Sequence, residues 1–424
     1  MTAPTSAVVV VVGAGPAGLA AALEALRRGV QVLVVEREAE PGGVPRHADH
    51  PGFGARDLRR LMTGPAYAQR YAALARAAGA EIRTETTVTG WGPDNTLELT
   101  GPGGREALAP IAVVLATGCR ERPRSARLVP GSRPAGVMTT GTLQQLVHLR
   151  GQRVGTRAVV VGAEHVSFSA VATLAESGAR TVAMITEHPR HQSFAAFRLG
   201  AGARYRVPLH TRTGLAAIHG RERVEAVDLA PVGGHGAPRR VECDTVVFTA
   251  EWIPEHELAV LGGIALDPGT RGPVVDQALR TARPGVFAAG NLDHGAEAAG
   301  VAALSGRHAG ARAAAFVRQP SPWAAERAAI RCAAPLRWIA PNAVALDAGP
   351  PPRGRLALRA HAFLEHPEID VAQAGRSLWR GRLRRVQPGR SAALPAGWLG
   401  AVDPDGGPID VRVLRARLAG RMHE

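Results

Sequence analysis

Residues 7–36, AVVVVVGAGPAGLAAALEALRRGVQVLVVE, restrict the fold more than any other part of the chain. The five valines from Val8 to Val12 offer no polar position to water, so they read as a central parallel strand covered on both faces. Gly13, Gly15 and Gly18 follow as G-x-G-x-x-G, opening an alanine- and leucine-rich helix that ends near Gly29. A second strand, Gln31 to Val35, then delivers Glu36. Gly13 permits the tight turn, Gly15 lets the backbone approach a pyrophosphate, and Gly18 lets helix and strand pack closely. The helix N-terminus offers free N–H groups and the positive end of a dipole to the phosphates. Glu36 can accept hydrogen bonds from ribose hydroxyls, which favours a ribose without a phosphate. A glycine pattern alone says little, but this one sits between strand and helix with its acid at the right spacing. It predicts a dinucleotide site.

Composition fits that α/β frame and removes several alternatives. Hydrophobic residues make up 46% and aromatics only 4%, so alanine, valine, leucine and glycine fill the core. The formal charge of +15 comes entirely from arginine, because the sequence has no lysine. Schiff-base lysine chemistry and a Walker-type phosphate lysine are therefore excluded. The arginines are scattered among acids rather than gathered in a basic arm, so nucleic-acid binding is not expected. Cys119, Cys243 and Cys332 are far apart, which argues against a near-neighbour redox disulfide, a cysteine-ligated cluster and a bound metal. The apolar N-terminus lacks a basic leader and is interrupted by Glu24. With no long apolar span elsewhere, the expectation is a cytoplasmic protein without a membrane span.

Two later stretches identify the dinucleotide. VVLATGCRERPR, Val113 to Arg124, is a buried strand ending in A-T-G, and GVFAAGN, Gly285 to Asn291, is a strand ending in A-A-G-N. In this order the motifs resemble the two-dinucleotide-fold flavoproteins of the pyridine nucleotide-disulfide oxidoreductase superfamily, over about residues 7–318. The resemblance implies FAD in the first fold and an NAD(P)-type fold inserted between the A-T-G and A-A-G-N strands. It implies two Rossmann-like folds in an α/β protein: residues 1–150 and 257–320 for FAD, 151–256 inserted, and 321–424 as a small C-terminal β module. Carried over by position, it makes Gly13, Gly15, Gly18 and Glu36 the adenosine and pyrophosphate grip. Gly42 and Gly43 would lie near the phosphates, Thr117 and Gly118 would close over the cofactor, and Gly290 and Asn291 would meet the ribityl region. Asn291 stands where the family usually has aspartate, keeping an acceptor oxygen but losing a charge.

The inserted fold repeats the strand–turn–helix plan in GTRAVVVGAEHVSFSAVATLAESGARTVAMITE, residues 155–187, with one change. Gly162 matches the first glycine, but Glu164 stands at the second position and Ser167 at the third. A carboxylate there obstructs the backbone approach and brings negative charge to the phosphates; two like charges about 4 Å apart cost about 1 kcal/mol even in water. The same anion is stabilised by the helix dipole, by about 0.3–1 kcal/mol. One reading is a filled phosphate site, with tight NAD(P)H binding lost. The other is a dinucleotide shifted along the loop toward His165 or an arginine, with Glu187 at its ribose. Trp252, where TAEWIPEHEL leaves the inserted fold, reads as packing.

Substrate chemistry points to VPRHADHPGFGARD, Val44 to Asp57, a loop rich in glycine and proline. His47 or His50 could take a proton as hydride leaves an amine or alcohol, and Arg46 could hold a carboxylate or the cofactor phosphates. The alternative is that these side chains only hydrogen-bond loop carbonyls. His294, just after the A-A-G-N strand, is a further candidate to face the flavin. RERPRSARLVPG, Arg120 to Gly131, reads as a solvated linker, and SPWAAERAAIRC as helix or linker. LALRAHAFLE, SLWRGRLRRV and IDVRVL alternate apolar and polar residues, predicting a mainly antiparallel module that could serve a dimer or a partner.

The stretch ATGCRERPRSARLVPGSRPAGVMTTGTLQQLV resembles flavoprotein subunits of amine and imino-acid dehydrogenases. It implies an FAD-dependent oxidoreductase for a small amine, imino or amino acid. The alternatives are an NAD(P)H-dependent reductase feeding a partner, and a non-catalytic flavin-binding scaffold subunit.

Overall fold

The structure, a computed structural model, describes residues 9–195, 198–234, 236–321, 323 and 327–418. Val8, placed by the sequence in the first strand, lies outside the described residues. By its contacts the chain forms two compact units. One comprises Met1–Arg46, Pro51–Cys119 and Pro254–Glu424; the other comprises His47–His50 and Arg120–Ile253.

The first unit is built on a five-stranded parallel sheet. Its order is Val286–Ala288, Ala112–Leu115, β1 (Val9–Val12), β2 (Val32–Val35) and Glu81–Arg83. Val9 pairs with Val32 on one side and Ala112 on the other, so β1 has a neighbour at each edge. Every residue of β1 is buried, as a valine run without a polar face requires. Helix α1 (Pro16–Arg27) follows, with proline in its first turn where no intrahelical N–H is needed. Helix α2 (Gly64–Ala77) sends Tyr67 and Tyr71 to Asp57 Oδ2, at 2.6 and 2.7 Å.

The second unit repeats the parallel arrangement. Its strands lie in the order Val137–Thr139, Thr245–Phe248, Arg157–Val161, Arg180–Ile185 and Leu209–His210. Helix α3 (His165–Glu176) follows Arg157–Val161. A three-stranded antiparallel sheet, Thr213–His219 with Ala226–Pro231 and Arg239–Glu242, completes the unit.

Back in the first unit, helix α4 (Ala299–Arg318) lies against α1 with almost no side chain between them. A methyl group on Gly306 would stand 1.9 Å from the Ala17 carbonyl oxygen, and one on Gly310 2.2 Å from that of Ala21. The glycine Cα hydrogens occupy those directions, giving weak C–H···O contacts and close dispersion packing. Alanine on one helix and glycine on the other, each at i and i+4, make this possible.

The predicted C-terminal β module is present with its own core, including Ile330, Leu358, Val371, Trp398 and Val411. Strands Ala343–Val344, Ala328–Cys332, Ile409–Leu418, Leu364–Gln373 and Arg376–Arg382 run in that order in one sheet, and Leu336–Ala340, Arg355–Ala360 and Ala392–Pro395 form another. Most pairings are antiparallel, but Ala328–Cys332 runs parallel to Ile409–Leu418. The segment expected as helix or linker therefore ends in a strand, while its residues 322 and 324–326 lie outside the described residues.

Two organisational expectations need correction. Residues 120–150 pack with the second unit rather than the first, because Val137–Thr139 pairs in parallel with Thr245–Phe248. Nor is Arg120 to Gly131 a solvated linker. Arg124 donates to the carbonyls of Val129, Pro130, Gly131 and Ser132, and Arg127 to those of Thr249 and Ala250. A guanidinium has five donors, so one side chain can order a whole turn of exposed carbonyls.

The helix contact makes a direct test. Gly306→Ala forces the two backbones apart and is expected to destabilise the chain by about 1–3 kcal/mol, read as a lowered thermal midpoint. An unchanged midpoint would mean the contact is not a tight one.

Candidate functional site

The end of β1 and the start of α1 form a loop open at its front. Gly13 donates to Val35 O at 2.8 Å and has φ of +102°, which a side chain would strain. A methyl on Gly18 would stand 1.8 Å from Gly13 O, so the third glycine is needed for helix and turn to meet. Gly15 is the N-cap of α1, makes no side-chain cap, and has nothing within 4 Å of the position a Cβ would take. Bare backbone N–H groups at an uncapped helix start are what a pyrophosphate needs.

The remaining first-fold residues gather around this opening. Glu36 is buried, and its carboxylate accepts from Ala14 N at 2.7 Å and Glu38 N at 3.0 Å. Gly42 donates to Ala14 O at 2.8 Å, and a Cβ on Gly43 would lie 2.9 Å from Gly15 Cα, so the PGG turn folds over the loop. Thr117 Oγ1 donates to Glu255 O at 2.7 Å, and Gly118 O accepts from Glu255 N. Gly290 donates to Ser305 Oγ at 3.0 Å and packs on Ala17. Asn291 has a use the sequence did not suggest: its amide oxygen accepts from Glu297 N at 2.8 Å and its amide nitrogen donates to Glu297 O. It ties off the loop 291–297.

At the second loop the corresponding space is occupied. Gly162 keeps the turn, with φ of +128°. Glu164 is the N-cap of α3 and forms a capping box, its carboxylate accepting from Ser167 N while Ser167 Oγ accepts from Glu164 N at 2.9 Å. Ser167 Oγ also meets Thr249 Oγ1 at 2.6 Å. Thus the residues at the second and third glycine positions satisfy the helix start between them. His165 lies beside Phe194, with ring centroids 4.6 Å apart. Glu187 is exposed beyond the second strand.

The residues expected to act on substrate are divided between the units. Arg46 pairs with Glu40 at 3.2 Å in the first unit, whereas His47 and His50 belong by their packing to the second. His294 sits in the first unit against Trp338, with ring centroids 4.6 Å apart, and Arg359 lies over the same indole at 4.8 Å. Burial holds His294 down at about 4, with Glu297 pulling the other way, so it is neutral at physiological pH.

Sequence comparison gives this geometry a family. The description "Pyridine nucleotide-disulphide oxidoreductase" matches residues 7–306. The chain belongs to that family. The alpha chain of sarcosine oxidase from Corynebacterium sp. (strain P-1), one of that enzyme's subunits, is 34% identical over 269 residues, covering 58% of this chain and 26% of that protein. One of the subunits of opine oxidase from Agrobacterium tumefaciens (strain Ach5) is 27% identical over 337 residues, covering 70% of this chain and 63% of that protein. The chain thus spans about a quarter of the first relative and under two thirds of the second. Thioredoxin reductase of T. acidophilum shares the fold, with a TM-score of 0.62 at 23% identity over 74% of this chain and 99% of that one.

The expected family and the oxidoreductase class both stand, and the open first loop is consistent with FAD, which members of this pyridine nucleotide-disulphide oxidoreductase family bind. Among the described residues no helix is long and apolar enough to cross a membrane. Two acids escaped the sequence reading because burial, not spacing, makes them unusual. Burial pushes Glu121 up to about 7, against lowering bonds from the N–H groups of Gly141 and Ala250. It pushes Asp293 up to about 8, against a lowering bond from Ser305.

Asp293 has a consequence for stability. The folded chain keeps its proton to about pH 8, while an unfolded aspartate releases it near 4. Its favourable contribution is therefore complete below about pH 4 and declines as pH rises toward about 8. Asp293→Asn should flatten the fall of the thermal midpoint between about pH 5 and 8. Parallel wild-type and variant profiles would show that Asp293 ionises normally.

Proposed function

We propose that this chain is the FAD-binding subunit of an oxidoreductase acting on a small amine, imino acid or amino acid, and that it does not take hydride from NAD(P)H. The observation that carries the reading is the contrast between two helix starts of the same plan. That of α1 has no side-chain cap and open space at Gly15. That of α3 is closed by the carboxylate of Glu164 and the hydroxyl of Ser167. An anion is favoured at the first and repelled at the second.

When bound, FAD would supply the hydride chemistry. The chain's part would be to seat it: the start of α1 would offer its free N–H groups to the phosphates with the PGG turn folded beside it, and Glu36, already aligned by Ala14 N and Glu38 N, would meet the adenosine ribose. Asn291 and Gly290 hold the turn before α4 in place. Both relatives are named as subunits, which supports looking for a partner that completes the reaction and receives the electrons. The three cysteines, distant in sequence, offer no C-x-x-C pair for disulfide reduction.

The purified chain should be yellow. Without oxygen, NADH and then NADPH should leave absorbance near about 450 nm unchanged, while dithionite removes it. Rapid bleaching by either nicotinamide would overturn the closed second loop and leave a reductase that feeds a partner. Separately, Gly15→Glu should lose most bound FAD, measured as flavin released per chain. Full occupancy in that variant would remove the first loop from the cofactor site.

A further inference from the structure

A cavity of about 450 Å³ lies in the first unit between the start of α4 and the C-terminal module. Its size falls within the range of small-molecule pockets. Three guanidinium groups line it, those of Arg56, Arg353 and Arg355. All three side chains keep an exposed part, and partial desolvation followed by the charges of Arg355 and Arg56 holds Arg353 below its usual range. Among the described residues none of the three forms an ion pair, and Glu297, the lining carboxylate nearest in character to a partner, is already bound by Arg359 at 3.4 Å and by Ser391. Three arginines without a carboxylate partner on one cavity give it a positive character that suits an anion.

The rest of the lining says what kind. Val275, Val301, Leu304 and Leu356 give it an apolar wall. Asp293, only 3% exposed, presents a carboxyl oxygen with no hydrogen-bond partner, and His294 beside it has an unpartnered Nδ1. Buried polar atoms left without partners are costly, so they mark a position where a ligand group completes the set.

We infer that this cavity is a binding site for a small amino or imino acid, its carboxylate toward Arg353, Arg355 and Arg56, its N–H toward Asp293, and its apolar body on Val301 and Leu304. As a substrate pocket it deepens the proposed function and rests on it; as a binding site it stands apart. A bare phosphate would satisfy the arginines but leave the apolar wall and Asp293 unused.

The test uses the full chain with its flavin and pyrrole-2-carboxylate, an imino-acid mimic. Titration calorimetry should show saturable binding of one acid per chain, with pyrrole giving none. The double variant Arg353→Gln, Arg355→Gln, altered at exposed side chains, should weaken binding by about tenfold or more at an unchanged thermal midpoint. Leu304→Trp, which puts an indole into the cavity from its apolar lining, should abolish it. No saturable binding, unchanged affinity in both variants, or tighter binding of inorganic phosphate than of the acid would each overturn the assignment. Binding without flavin reduction by any amino acid would leave the pocket standing and count against the redox reading; flavin reduction unaffected by either variant would do the reverse.

Discussion

The backbone contact between α1 and α4 is the constraint on which the first unit depends. Gly306 and Gly310 bring α4 onto the carbonyls of Ala17 and Ala21. Helix α4 follows the strand Val286–Ala288, which pairs in parallel beside Ala112–Leu115. Gly290 packs on Ala17, so the turn after that strand arrives beside the glycine loop of β1. A single larger residue at either glycine would displace both the edge of the sheet and the rim of the cofactor opening. Residues nearly 300 positions apart are joined by atoms with almost no conformational freedom left to lose.

The inserted unit shows how one plan supports different chemistry. Both loops retain the turn glycine with positive φ, Gly13 and Gly162, because the chain must reverse there whatever is bound. They diverge at the next two positions: at the second, Gly15 leaves room for something outside the protein to approach, and at the third, Gly18 lets the helix meet the turn. Glu164 and Ser167 convert an external anion site into an internal hydrogen-bonding pair, anchored by Thr249 from the strand beside. The substitution keeps the helix start satisfied, which is why the fold persists.

Much of this was legible in the sequence, for reasons that can be named. The valine run, the glycine spacing and Glu36 follow local rules, so β1, α1 and β2 appear where expected. Glu164 was legible as an exception to the same rule. The alternation in the last hundred residues revealed strands but not their partners, since parallel pairing of Ala328–Cys332 with Ile409–Leu418 joins distant segments. The arginine-rich stretch after Cys119 misled because a guanidinium bound to carbonyls looks, in sequence, like one in water. Asn291 stood out in the sequence as a departure from aspartate, but its hydrogen bonds to Glu297 depend on a loop closure that no spacing records. Asp293 and the arginine cavity were hidden for the same reason: their properties come from what surrounds them.

The order of strands in the first sheet also bears on how the chain is made. β1, β2 and Ala112–Leu115 leave the ribosome early, but the neighbour of Ala112–Leu115 and the helix that covers α1 come after residue 285. Until then one edge of a valine-rich sheet has no partner strand and α1 has a bare face of alanines. The intervening unit has its own sheet and core and can form in that interval. A nascent chain of this design passes through a stage in which its middle is folded and its beginning still waits for its end. That stage is where chaperone capture or aggregation would act on it.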